Sequence, residues 1–249
     1  MYFRYFIELQ YNGKNFHGWQ IQPNTLTVQA EINEKIGILL KQPIETTGAG
    51  RTDTGVHARH FVAHFDFPEE ISKKLTSLTR KLNLFLPNDI YVKRIVPVTS
   101  DAHARFDASS RTYKYYISTQ KDVFWNDYSW TILQKLDIEL MQIGAQLLMN
   151  YNDFTSFSKL HSDNKTNLCH IESSDWSNEE NKLIFTIKAD RFLRNMVRAI
   201  VGTLVLVGRK KITINELRDI IRLQDRSSAG ESAPAQGLFL HRIEYPYPF

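Results

Sequence analysis

The sequence predicts an α+β protein of two lobes with largely antiparallel mixed sheets. Strand-like and helix-like periodicities follow one another along the whole chain. A length of 249 residues is enough for two separate cores, and a hydrophobic content of 42% is that of ordinary globular proteins. We expect the lobes to divide near residue 105, into 1–104 and 105–249.

Alternating and helical spacings of apolar residues define the elements of the first lobe. In chain order they predict a half-buried strand over 3–11, a helix with apolar residues from 28 to 39, a strand over 61–67, a helix with apolar residues from 71 to 82, and a strand over 90–96. Pro87 is expected to end the second helix, because proline cannot continue one.

The second lobe is predicted in the same way, and two of its helices carry a start signal. The predicted elements are a strand over 112–118, a helix with apolar residues from 140 to 147 and Asp137 as N-cap, a strand over 183–189, an apolar helical stripe from 192 to 207, a helix opened by Thr213 and Glu216, and a strand over 238–244. Polar, turn-rich segments at 156–167 and 224–237 are predicted to be mobile loops.

Composition excludes several classes of protein. A single cysteine, Cys169, can form neither an intrachain disulfide nor a cysteine-based zinc site, and it suits a reducing cytoplasm. No apolar run is long enough to span a membrane, and the first ten residues alternate instead of forming the apolar core of a signal peptide. We therefore expect a cytoplasmic protein. A net charge of +4 is compatible with a polyanionic partner.

The most informative stretch is the turn around Asp53. Gly48 and Gly50 precede this carboxylate, Gly55 follows it, and Arg51 lies two residues before it. Glycines allow a close approach of the backbone or a positive φ, so the pattern indicates a rigid loop that presents one acid. A tight turn with a solvated aspartate is the commoner structure for such a cluster.

A carboxylate that acts in a dry pocket needs a cation beside it, because burial favours the neutral acid. Arg51 is close in sequence. Arg191, Arg194 and Arg198 are spaced three and four apart and are expected to share one face of the predicted helix. A guanidinium matches a carboxylate better than an ammonium does, so one of these arginines is the expected partner of Asp53.

Other chemistries find little support. His57, His60 and His64 are closely spaced and show no H-E-x-x-H pattern, and the alternation of apolar residues with His60 and His64 favours a strand, which disfavours a metal site. No phosphate-binding glycine loop and no serine or cysteine nucleophile motif is present. Tyr113 is a candidate for base stacking and proton transfer, although a core tyrosine is the commoner structure. By elimination, the expected chemistry uses one carboxylate, one or two arginines and a candidate tyrosine, without metal or cofactor.

Motifs along the whole chain resemble those of the bacterial tRNA pseudouridine synthase A (TruA) family. Each motif alone is weak, but their combination in this order is specific. They lie at 16–22, 50–53, 55–58, 86–90, 104–108, 111–113, 153–157, 191–202 and 233–238.

The resemblance implies a pseudouridine synthase fold, with an active-site cleft between a lobe 1–104 that carries the catalytic acid and a lobe 105–249 that completes the cleft. It implies a homodimer that isomerises uridine to pseudouridine in the anticodon stem-loop of tRNA, at tRNA positions 38, 39 and 40, without a cofactor.

The resemblance also implies roles for individual residues. Asp53 would be the catalytic aspartate and Arg198 its salt-bridge partner. Arg51 would enter the space that the target base leaves, Tyr113 would stack on the flipped uracil, and Leu238 would pack against its other side. Whether Asp53 attacks the ribose, attacks the base or takes a sugar proton stays open.

Two other functions are compatible with the residues. An RNA-binding module or chaperone would need no Asp53, and an enzyme similar to nucleoside hydrolases would release uracil from RNA.

Overall fold

The computed structural model describes residues 2–159 and 165–249. Within those ranges the chain forms nine strands and five α-helices, and most strand pairs are antiparallel. The predicted α+β class is therefore confirmed. The chain divides into two compact units, Met1–Ser109 with Leu240–Phe249, and Ser110–Phe239. The functional division into lobes 1–104 and 105–249 stays a prediction. None of the helices in the described part of the chain is long and apolar enough to cross a membrane.

The first unit is built on an antiparallel arrangement in which β1 lies between β4 and β3. Its elements are β1 (Phe3–Tyr11), α1 (Val28–Leu40), β2 (Thr47–Gly48), β3 (His57–Phe67), α2 (Leu75–Phe85) and β4 (Ile90–Val98). Each predicted element is present, with β3 beginning four residues earlier than predicted. Thr27 caps α1, since its hydroxyl accepts the amide of Ala30 at 3.3 Å.

The prediction that β1 is half-buried is wrong. Tyr5, Ile7 and Leu9 are buried as expected, but Phe6 and Glu8 on the other face are buried too. Aromatic rings from the end of the chain cover this face, because Phe6 lies 5.0 Å from the ring of Phe249 and 5.7 Å from that of Tyr245. Contacts between residues so far apart in sequence leave no trace in a local periodicity.

The second unit contains the strand order β5-β8-β7, all antiparallel, with the short β6 parallel to β5. Its elements are β5 (Ser110–Ser118), β6 (Trp130–Thr131), α3 (Ile138–Leu147), β7 (Ile171–Glu179), β8 (Lys182–Ala189), α4 (Met196–Gly208), α5 (Ile214–Leu223) and β9 (Leu238–Glu244), which ends in the first unit. Both predicted helix starts are confirmed: Asp137 accepts the amide of Leu140 at 3.1 Å, and Thr213 forms a capping box with Glu216.

The apolar residues whose spacing indicated helix α3, Leu140, Ile143 and Leu147, are not the ones that it buries. The buried residues are Met141, Gly144 and Ala145, whereas Ile143 is half exposed. A Cβ on Gly144 would lie only 2.8 Å from a methyl carbon of Leu204 on α4, so the small residues form the face that packs. The spacing of large apolar residues therefore predicted the helix, but it did not show which residues pack.

Both predicted loops include residues of short 3-10 turns. Residues 160–164 of the loop predicted at 156–167 lie outside the described residues, and its first residues, Ser156 and Phe157, are buried. The loop at 224–237 contains 3-10 turns at Arg226–Ser228 and Ala235–Gly237.

Candidate active site

Asp53 lies in a half-buried turn between β2 and β3. Its carbonyl accepts the amide of Val56 at 3.1 Å, which closes the turn. Gly55 has a φ of 79°, a conformation that glycine adopts without strain. Arg51, two residues earlier, is exposed.

The backbone of the loop that follows β1 packs directly against the backbone of this turn. A side chain on Gly18, whose φ is 85°, would collide with the carbonyl oxygen of Thr52, and one on Gly13 would collide with that of Val56. The amide of Gly55 donates to the carbonyl of Phe16 at 3.3 Å. Because two stretches of backbone are in direct contact on both sides of Asp53, its position is set by main-chain atoms.

The glycines before Asp53 have different surroundings. Gly50 has no protein atom within 4 Å of the place where a Cβ would lie. Gly48 does have a packing role, since a Cβ would collide with the indole of Trp19. The sequence analysis assigned no such role to Gly13 and Gly18, and the glycine-containing aromatic segment 12–20 is the sequence feature that could have indicated them.

The histidines of β3 have structural partners. Each of His57, His60 and His64 accepts a backbone amide at Nδ1, at 3.1, 3.0 and 3.2 Å. The donors are Gly13, Ile243 and Ala104, respectively. The predicted strand is confirmed, and within residues 2–159 and 165–249 no group of three metal-ligating side chains is found.

Arg198 lies in the first turn of α4 in the second unit. Its Nε donates to the carbonyl of Ala233 at 2.7 Å, and the amide of Ala233 donates to the carbonyl of Arg198 at 3.0 Å. One turn further along α4, a side chain on Gly202 would collide with the carbonyl oxygen of Glu231. The segment 231–233 therefore lies directly on α4 and orients the guanidinium.

The predicted helical face that carries three arginines is wrong. Helix α4 begins at Met196, after Asn195 with a φ of 67°, so Arg191 and Arg194 lie in the turn before the helix. Asparagine tolerates this left-handed conformation, which interrupts the helical path at that point. Phe192, predicted to be part of the apolar stripe, also lies before the helix.

Two tyrosines of β5 differ in their surroundings. Tyr115 is fully buried, and its hydroxyl donates to the carbonyl of Pro234 at 2.8 Å. Burial raises the pKa of Tyr115, and the positive charge of Arg198 opposes that rise. Tyr113 is half-buried and packs edge-to-face on Phe192, with ring centroids 5.1 Å apart. Tyr115 therefore has a structural role, while Tyr113 is not fully buried.

Leu238 is buried at the start of β9. Asp53 and Arg51 thus lie together on one turn of the first unit, and Arg198, Tyr113 and Leu238 belong to the second unit. The catalytic and binding roles of all five stay predictions. Ala233, which orients Arg198, had no signal in the sequence beyond its place in the 233–238 motif.

Comparison with known proteins identifies the family. A sequence profile described as tRNA pseudouridine synthase matches residues 9–107 and 145–246. The chain is 56% identical to tRNA pseudouridine synthase A of Parabacteroides distasonis, over 98% of this chain and 96% of that protein. It is 53% identical to the proteins of the same name from Porphyromonas gingivalis, over 98% and 97%, and from Bacteroides thetaiotaomicron, over 98% and 91%.

Among solved structures, the chain is similar to 3-hydroxy-3-methylglutaryl-coenzyme A reductase of Streptococcus pneumoniae, at a TM-score of 0.23 and 10% identity over 91% of this chain and 68% of that one. A likeness at this level carries no argument about fold or function. The profile covers most of the sequence and the relatives match nearly all of it, and both agree with the family that the motifs predicted. The chain belongs to the tRNA pseudouridine synthase family of isomerases.

Proposed function

We propose that this chain converts uridine to pseudouridine in the anticodon stem-loop of tRNA, at tRNA positions 38, 39 and 40. It acts in the cytoplasm, as a homodimer and without a cofactor. Family membership supports the reaction, and the names of the relatives support tRNA as the substrate. The observation that carries the proposal is the turn of Asp53, which backbone contacts hold on both sides.

The reaction exchanges one bond for another. The bond from C1′ of the ribose to N1 of uracil breaks, the base turns, and a bond from C1′ to C5 forms. The proton leaves C5 and N1 gains one, so the atoms balance and no redox partner is needed.

The uracil must leave the base stack before it can react, which costs a few kcal/mol. Stacking on Tyr113 and packing against Leu238 offset this cost, and Arg51 fills the space that the base leaves. The incomplete burial of Tyr113 and the support of its ring by Phe192 favour this role. A closed pocket keeps water from the detached base and so prevents hydrolysis.

Asp53 is the reacting carboxylate, and Arg198 pairs with it. The hydrogen bond from Nε of Arg198 to Ala233 supports this assignment, because it gives the guanidinium a defined direction. A preoriented cation stabilises developing charge better than a mobile one.

The test is nucleoside analysis of an anticodon stem-loop transcript after incubation with the protein and no added cofactor. We expect pseudouridine with the wild type and none with Asp53→Asn, while the variant still binds the transcript. Asp101→Asn, which changes an exposed aspartate of the same unit, is the matched control and should react normally.

Three other outcomes of this experiment would contradict the proposed function. Full pseudouridine formation by Asp53→Asn would rule out the role of Asp53. An unchanged transcript after incubation with the wild type would favour an RNA-binding module, and abasic sites with free uracil would favour a hydrolase.

A further inference from the structure

A groove of about 880 Å³ is lined only by residues of the first unit. It does not include the turn of Asp53. β1, β3 and β4 contribute to its walls, and the segment 241–249 completes it. The volume falls in the range of small-ligand sites and is large enough for one or two nucleotides. No residue from 50 to 55 lines the groove, so it is distinct from the site proposed for the isomerisation.

A buried carboxylate organises one wall. Glu8, which is 5% exposed, accepts a hydrogen bond from Nζ of Lys93 at 2.7 Å and from Nε of Arg94 at 2.6 Å. Nε2 of His60 lies 3.4 Å from the same carboxylate. Burial acts to raise the pKa of Glu8, but the hydrogen bonds from Lys93 and Arg94 outweigh it and hold that pKa below its ordinary value. Glu8 therefore stays charged and fixes two cations side by side.

One carboxylate does not neutralise two cations. The side chains of Lys93 and Arg94 are 64% and 46% exposed, so both charged groups remain accessible from the groove. Arg242 also lines it, and Glu244 lies 3.4 Å from Arg242. Lys93, Arg94 and Arg242 thus place three permanent positive charges beside the two carboxylates, and this excess of positive charge suits an anionic ligand.

Aromatic surface lies next to these cations. Tyr91, directly opposite Gln10 in the β1–β4 register, is 49% exposed. The ring of Phe249 lies under the guanidinium of Arg94, 5.6 Å from ring centroid to carbon. Cations that hold phosphates beside exposed aromatic rings are the combination that binds single-stranded RNA. An acidic peptide would use the cations but gain little from an exposed ring.

We propose that this groove binds a single-stranded segment of the RNA substrate away from the reacting uridine. Lys93 and Arg94 hold a phosphodiester, and Tyr91 stacks on a neighbouring base. The identity of the RNA rests on the proposed function, whereas the binding itself does not require turnover. The groove adds affinity for the substrate and leaves the rate of the bound complex unchanged.

The test measures binding of a fluorescein-labelled tRNA transcript by fluorescence anisotropy between about 50 and 200 mM salt. In the double variant Lys93→Gln, Arg242→Gln, Arg94 still pairs with Glu8, so the buried carboxylate keeps a positively charged partner. We expect its Kd to rise about tenfold. The slope of log Kd against log salt concentration should become smaller by about 1 to 2. The matched control, Lys73→Gln with Lys74→Gln, removes the same charge from an exposed turn of the same unit and should change Kd less than about twofold.

Tyr91 provides a second test that does not change the charge. Tyr91→Ala should weaken binding several-fold, and Tyr91→Phe should restore it, because stacking needs the ring and not the hydroxyl. A thermal melt of each variant checks that the fold is kept. At saturating transcript, pseudouridine formation by the groove variants should match that of the wild type.

Three results would overturn the proposal. Equal losses in the groove variant and the control would show a general charge effect, and an unchanged Kd in the groove variants would remove the site. Loss of the dimer in light scattering, with RNA binding per protomer unchanged, would assign the groove to contact between two copies of the chain. A wild type that forms no pseudouridine, with the groove variants still impaired in RNA binding, would refute the proposed function and leave the groove as an RNA site.

Discussion

Arg198 and Ala233 are joined by two hydrogen bonds that run in opposite directions. The side chain of Arg198 donates to the backbone of Ala233 at 2.7 Å, and the backbone of Ala233 donates to that of Arg198 at 3.0 Å. The first bond sets the plane of the guanidinium, and the second holds the segment 231–233 on α4. The orientation of the Arg198 guanidinium is therefore set by a backbone carbonyl of the second unit.

Replacement of Arg198 by lysine should impair the enzyme although the charge is kept. An ammonium cannot reproduce both the Nε bond to Ala233 and the fork that matches a carboxylate. We expect kcat/KM for an anticodon stem-loop transcript to fall about 100-fold or more. Arg194→Lys, in the exposed turn before α4, is the matched control and should be nearly normal. A nearly normal rate for Arg198→Lys would assign the partner of Asp53 to another cation.

The turn of Asp53 can be tested through the glycine that contacts it. In Gly18→Ala the new methyl group meets the carbonyl of Thr52 at a backbone φ of 85°, so the turn or the loop must shift. We expect a loss of about 1–3 kcal/mol in the free energy of unfolding, measured in urea, together with a lower kcat.

Gly50→Ala provides the control for that experiment, because nothing lies within 4 Å of its new methyl group. It should change stability by less than about 0.5 kcal/mol. Equal effects of the two substitutions would contradict the view that backbone contact positions Asp53.

The stability of the protein should decrease in acid partly through His64. Burial, with the charge of Arg4 acting in the same direction, lowers the pKa of His64 to about 4. The ordinary histidine pKa is about 6.5. Between these values the unfolded chain takes up a proton that the folded protein does not, so the free energy of unfolding falls as the pH falls.

The expected contribution is about 3 kcal/mol at most, present above about pH 6.5 and lost as the pH approaches 4. Unfolding in urea at several pH values should show a smaller loss over this window for His64→Gln than for the wild type. His17→Gln, at an exposed position, should keep the wild-type dependence. Identical pH profiles for the wild type and His64→Gln would assign the acid sensitivity to other groups.

Cys169 should be inert in the folded protein. Its side chain is buried, and burial raises the pKa of the Cys169 thiol to about 12, although Arg191 acts in the opposite direction. Because the thiolate is the reactive form, a disulfide reagent at about pH 8 should label the native protein slowly. Labelling should approach one thiol per chain when urea unfolds the protein. Rapid stoichiometric labelling in native buffer would show that this part of the second unit opens readily.

Local patterns predicted most of the secondary structure. β9 has the predicted bounds, Leu238–Glu244. The capping box at Thr213 and Glu216 is equally local. β7 was not predicted, since Ile171–Glu179 is mostly polar and becomes a strand through its pairing with β8.

The site was only partly predictable. The glycines around Asp53 marked a turn, but the atoms that hold it come from Gly13 and Gly18 on a separate segment. The start of α4 depends on the left-handed conformation of Asn195, which an apolar periodicity does not detect. Spacing therefore placed Arg191 and Arg194 on a helix that they do not join.

By itself, the sequence determined the α+β class, the order of most elements, the family and the identity of the candidate acid, because these follow from periodicity, turn chemistry and ordered motifs within short stretches. Only the tertiary structure decided how Asp53 is held, how Arg198 is oriented, and which cations Glu8 brings together. Each of these depends on contacts between residues far apart along the chain. Sequence spacing does not distinguish the possible partners, whereas packing and burial determine which of them are in contact.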